Sequence, residues 1–219
     1  DTSTKTVVTD IPVGDAFPLQ VAVAPDGQFA YVVNHFGSVS VIDMSTNTVV
    51  DTVLIAGGGE VDGIAITPDG GTLYVANGYD FVSVIDIATH HVSTIANGGI
   101  FGVAVSPDGG TVYVSEAGPD VDYSAVNVID ADTQEVTDII DVGGQPFFLK
   151  VSPDGKSLYV IAGGRFVTVD TTSHEITSSV GIPGSNWDLT ISPDGKFAYV
   201  PLYGGATVAV IPLTTSQAT

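Results

Sequence analysis

The sequence predicts an all-β fold, a β-propeller of five four-stranded blades, on three observations. The tripeptide Pro-Asp-Gly recurs at 25–27, 68–70, 107–109, 153–155 and 193–195, and its intervals of 43, 39, 46 and 40 average 42 residues. That is the length of one propeller blade. Each copy also stands in one fixed order of segments: an apolar stretch before it, then Tyr-Val, Val-x-Val-Ile-Asp and Thr-x-x-Val stretches after it. Finally, the two ends of the chain resemble complementary parts of one repeat.

The segments read as strands A to D in turn. Val21 and Val23, Tyr31 and Val33, and Val39 and Val41 alternate with small or polar residues, the period of a half-buried strand. Pro-Asp-Gly makes the A–B turn: Pro fixes φ, Asp accepts from nearby backbone N–H groups, and Gly takes positive φ. No window sustains a 3.6-residue period, which excludes helical solenoids. At the start, Asp1-Thr-Ser-Thr-Lys-Thr-Val-Val8 repeats Asp43-Met-Ser-Thr-Asn-Thr-Val-Val50. The chain thus opens with a D strand and closes with a C strand at 207–211. Pairing of the two is expected to close the last blade from both termini, with 1–219 forming a single propeller domain. Residues 212–217 compete for the same slot, so a displaced tail or a longer array is the alternative.

Composition narrows the functions. Five Lys+Arg against 25 Asp+Glu give a net charge of −20, which argues against nucleic acid or an anionic membrane as partner. No apolar run approaches the roughly 20 residues of a membrane span. The absence of cysteine removes disulfides, thiolate nucleophiles and Cys-ligated metals. Much of the acid is framework: Asp26, Asp69, Asp108, Asp154 and Asp194 belong to the A–B turns, and Asp1, Asp43, Asp86, Asp130 and Asp170 end C strands.

Tyr31-Val-Val-Asn34 and Tyr74-Val-Ala-Asn77, with the Pro-Asp-Gly and Val-Ser-Val-Ile-Asp segments, resemble the YVTN family of β-propeller repeats. The third, fourth and fifth copies depart to YVSE, YVIA and YVPL. The family includes surface-layer proteins, periplasmic or secreted propellers and distant lactonase-like propellers. The resemblance therefore implies a propeller in an extracellular, cell-surface or periplasmic setting, and architecture more than activity.

Antiparallel blades put the A–B and C–D connections at one end and the B–C and D–A connections at the other. Beyond the repeated strand-B rings, the aromatics all fall at the B–C/D–A end: Phe17, Phe36, Tyr79, Phe81, Phe101, Tyr123, Phe147, Phe148, Phe166, Trp187 and Tyr203. Phe81, Phe148 and Phe166 are expected to plug the cores between blades. Trp187, Tyr203, Tyr79 and Tyr123, with His35, Phe36 and Phe17, are the expected ligand-binding residues, since Tyr and Trp give rigid contact area with a polar handle. Lys150 and Arg165, two of the few cations, join them to pair with a carboxylate or hold an anionic group.

Three functions are open. The first is a secreted or cell-surface binding module whose aromatic and acidic face holds a small molecule, glycan or protein loop, with no cofactor required. The second is a hydrolase or lyase acting on a lactone or saccharide. Asp62, Glu116 and Asp188 are its candidate carboxylates, because glycosidase chemistry needs two about 5 to 10 Å apart, and His35 is a candidate acid/base. Ca²⁺ is a possible cofactor: Glu116, Asp120 and Asp122 on the longest B–C connection offer hard oxygen ligands. His90, His91 and His174 fall at the opposite end, which excludes a multi-histidine zinc site at the mouth. No G-x-S-x-G, P-loop or H-E-x-x-H pattern occurs. The third function is a structural unit of a larger surface array. In solution a monomer, or a part of a longer chain, is expected.

Overall fold

The computed structural model describes residues 3–14, 17–55, 61–78, 81–96, 100–117, 124–184, 188–202 and 205–213. They form five antiparallel sheets and no helix; correspondingly, no helix is long and apolar enough to cross a membrane. The first blade is β1 (Pro18–Val23), β2 (Phe29–Asn34), β3 (Ser38–Asp43) and β4 (Thr48–Leu54). The second is β5 (Val61–Ile66), β6 (Thr72–Asn77), β7 (Phe81–Asp86) and β8 (Val92–Ala96). The third is β9 (Ile100–Val105), β10 (Thr111–Ala117), β11 (Ser124–Asp130) and β12 (Val136–Asp141). The fourth is β13 (Pro146–Val151), β14 (Ser157–Ala162), β15 (Arg165–Asp170) and β16 (Ile176–Gly181). The fifth has three strands among the described residues: β17 (Thr190–Ile191), β18 (Phe197–Leu202) and β19 (Thr207–Pro212). In every sheet the strands pair in chain order. This is a β-propeller arrangement of five blades.

Strand parity decides which neighbour each side chain meets. Tyr31, Val33, Val39 and Val41 pack toward the second blade, where Ile64, Leu73 and Val75 face them. Tyr74, Val82 and Val84 meet Val103, Val112 and Val114 of the third blade in the same way. Tyr113, Val126 and Val128 meet Leu149, Leu158 and Val160 of the fourth. Tyr159, Ile161 and Phe166 meet Leu189, Ala198 and Val200 of the fifth. Phe166 is fully buried, and Phe148 and Phe81 pack against these cores as expected. Innermost strands come close enough that side chains are excluded between them. A Cβ on Gly102 would lie 2.5 Å from the Phe147 carbonyl oxygen, and one on Gly63 would lie 2.9 Å from that of Phe101.

The expected pairing of the two termini is not made among the described residues. Residues 6–13 carry no strand. Instead Ile11 and Val13 pack on Ala30, Val32 and Ile42, on the side of the first blade away from the second, and Ser40 Oγ donates to the Val13 carbonyl at 3.0 Å. No buried cluster joins the first and fifth blades among the described residues.

Candidate functional site

At the B–C/D–A end of the first blade, three rings gather. The β2–β3 turn presents His35 and Phe36, and the approach to β1 presents Phe17. Their edge-on contacts have centroid separations of 5.1 Å for His35–Phe36, 5.9 Å for Phe17–Phe36 and 6.4 Å for Phe17–His35. The His35 backbone N–H donates to the Phe17 carbonyl at 3.0 Å, which ties the two connections together. Phe17 holds a left-handed φ of 73°, a conformation that costs a residue with a side chain about 1 kcal/mol or more. Despite the mutual contacts, Phe17 remains 64% and Phe36 58% exposed. Phe rings spread on water over a strained backbone are unusual for surface filler.

A second aromatic pair stands where the innermost strands begin. Phe101 and Phe147 lie 5.4 Å apart across the junction of the third and fourth blades. Each is six residues before the Pro of its Pro-Asp-Gly turn, and the same offset holds Leu19, Asp62 and Trp187 in the other blades. In the third and fourth blades these two rings therefore stand at the start of the innermost strands. Phe101 and Phe147 were not among the expected binding residues; the constant offset is the sequence signal that identifies them. Beneath them Ser115 Oγ accepts from the Gly102 N–H at 2.7 Å and donates to the Phe147 carbonyl at 3.1 Å. This buried hydroxyl fixes both innermost strands.

Of the other expected residues, Trp187, Tyr203, Tyr79, Tyr123, Asp120 and Asp122 lie outside the described residues, as does the Asp62 side chain. Glu116 has a partner: Asn127 Nδ2 donates to its Oε2 at 2.6 Å. The equivalent pairs are Asn34 with Ser40, at 2.9 Å, and Asn77 with Ser83, at 2.8 Å. The departure from Asn to Glu in the third Tyr-Val motif is thus a swap across strands, with the amide moved to β11. Asp188 Oδ1 accepts from the Leu189 N–H at 2.8 Å. Lys150 occupies the position of Ala22, Ala65 and Ala104 on its innermost strand, opposite Tyr159. Arg165 is exposed at the first residue of β15. Among the described residues no group of three His, Asp or Glu side chains is placed to hold a metal.

The histidines at the other end have a different task. His90 Nδ1 lies 2.8 Å from Asp51 Oδ2, joining the second blade to the first. His174 Nδ1 meets Asp138 Oδ2 from fourth blade to third. That contact holds the Asp138 carboxyl below its ordinary range. Two clefts of about 280 and 310 Å³ also open between blades, one beside Tyr159 and Phe166 and the other beside Phe29 and Tyr31. Neither is lined by Phe17, His35, Phe36, Phe101 or Phe147.

No family model and no curated protein matches the chain. Among solved structures it is similar to Kuenenia stuttgartiensis hydrazine synthase, at 28% identity and a TM-score of 0.80. The match covers 95% of this chain and 65% of that one, so the chain spans less than two thirds of its neighbour's length. The likeness supports the β-propeller; the neighbour's reaction belongs to the neighbour.

Proposed function

We propose that the chain is a binding module of the secreted or cell-surface kind, holding a small molecule, a glycan or a protein loop at the B–C/D–A end of its blades. The observation that carries this reading is the exposed Phe17–His35–Phe36 group, held by a backbone hydrogen bond on a strained loop. Flat apolar rings with an imidazole edge suit the carbon face of a sugar ring or an aromatic side chain. Phe101 and Phe147 offer a second ring pair at the same end of the blades, where β9 and β13 begin. Trp187, Tyr203, Tyr79 and Tyr123 join them by their places in the repeat.

The test is a screen of immobilised glycans, small molecules and peptides with the intact chain, repeated with Phe36→Ala and Phe147→Ala. The expected result is a ligand whose affinity drops at least tenfold in either variant, while the melting temperature is kept. A ligand bound equally well by both variants places the site elsewhere.

A further inference from the structure

The side of a blade that faces its successor uses the same positions in every repeat. In the first four blades that side is covered: Tyr31, Tyr74, Tyr113 and Tyr159 are between 2% and 6% exposed. In the fifth blade the equivalent Tyr199 is 38% exposed, and beside it Val208 and Val210 are 56% and 54% exposed, where Val39, Val82 and Val126 are fully buried. Phe197 extends the patch. At the other limit, Val21 of β1 is 61% exposed, although its equivalents Ile64, Val103, Leu149 and Leu189 are buried against the preceding blade.

Terminal repeats of stacked proteins normally turn a polar face outward. Here the fifth blade's outward face keeps the tyrosine and valines of an internal seam uncovered, and on the first blade Val21 stays uncovered beside Ala30, Val32 and Ile42, over which only Ile11 and Val13 lie among the described residues. Such a surface suits only another sheet with the same alternation. Two more observations say which. The five blades lie along a fan whose first and last faces share no core among the described residues. The same fan superposes on a longer chain, of which it spans 65%; were the remainder built of blades of the same length, that chain would hold roughly seven, within the four to eight that propellers use.

We propose that these two faces are blade seams, covered by two further blades of the same roughly 42-residue kind that complete a ring wider than five. The face of β18 and β19 receives a blade as β14 and β15 receive the fifth. The exposed side of β1 packs against the last of the added blades.

The test combines intact mass with tyrosine nitration mapped by peptide mass spectrometry. In the protein purified from its natural source, the expected mass exceeds that of residues 1–219 by about two repeats, and Tyr199 is as unreactive as Tyr74. In the 219-residue chain produced alone, Tyr199 is expected to nitrate at least tenfold faster than Tyr74. Three results overturn the proposal: a natural product no longer than 219 residues, a monomeric 219-residue chain with Tyr199 protected, which closes on itself, or a dimeric one with Tyr199 protected, in which a second copy is the cover. Should the short chain not fold alone, mass and Tyr199 reactivity of the natural product decide.

Discussion

Asp69, Asp108, Asp154 and Asp194 each accept from the hydroxyl two residues earlier and from the backbone N–H two residues later. Those hydrogen bonds hold each carboxyl below its ordinary range, hydroxyl first and backbone second. Asp43, Asp86, Asp130 and Asp170 are lowered in the same direction by the Ser or Thr residues of the C–D turns. A carboxyl lowered in the fold stabilises it fully above the unfolded pKa of about 3.9, and that contribution disappears as pH falls through the lowered values. The melting temperature should therefore hold from neutrality to about pH 4 and fall steeply below. A melting temperature unchanged down to about pH 2 would show that these bonds carry no stability. The first repeat supplies a converse test. Ala24 stands where the others have Thr67, Ser106, Ser152 and Ser192, so Asp26 lacks that hydroxyl donor and, among the described residues, accepts from the Gln28 N–H alone. Ala24→Ser should raise stability by about 0.5 to 1 kcal/mol, read from denaturant midpoints at constant slope.

At the scale of elements, the tightest constraint is the approach of innermost strands at Gly102. Its would-be Cβ meets a backbone oxygen, which no rotamer change relieves. Gly102→Ala should cost about 2 kcal/mol or more, whereas Gly181→Ala, with nothing within 4 Å, should change stability by less than about 0.5 kcal/mol. Equal effects of the two would remove the close approach as a determinant of the fold. The Pro-Asp-Gly count made the blades and their order legible, because turn chemistry and period-two alternation are local. The Phe17–His35–Phe36 group was legible in part: His35 and Phe36 announce themselves in a connection, but the left-handed Phe17 comes from the packing. Asp1–Val8 shows the limit. It copies Asp43–Val50, yet residues 6–13 form no strand, since a D-type sequence becomes a strand only beside an edge whose N–H and C=O groups it can satisfy. Sequence identity fixes competence to pair and leaves the partner to geometry.

For the molecule as a whole, stability is distributed along a row of four seams, each shared by two consecutive blades. Such a row behaves as a sum of nearest-neighbour terms. A cavity in one seam weakens the blades on either side: Leu158→Ala, at a fully buried site between the third and fourth blades, should cost about 2 to 5 kcal/mol. One ring group sits on the first blade and the other across the third and fourth, so loosening that seam disturbs Phe101 and Phe147 before it reaches Phe17.

In the 219-residue chain on its own, the uncovered side of the fifth blade sets the order in which the sheets come apart. A sheet clasped on one flank opens more readily than one clasped on both. Amide deuterium uptake should advance first through β18 and β19 and last through β10 and β11. Protease nicks in the folded chain should follow that gradient, peeling the last sheet while the middle of the row stays intact.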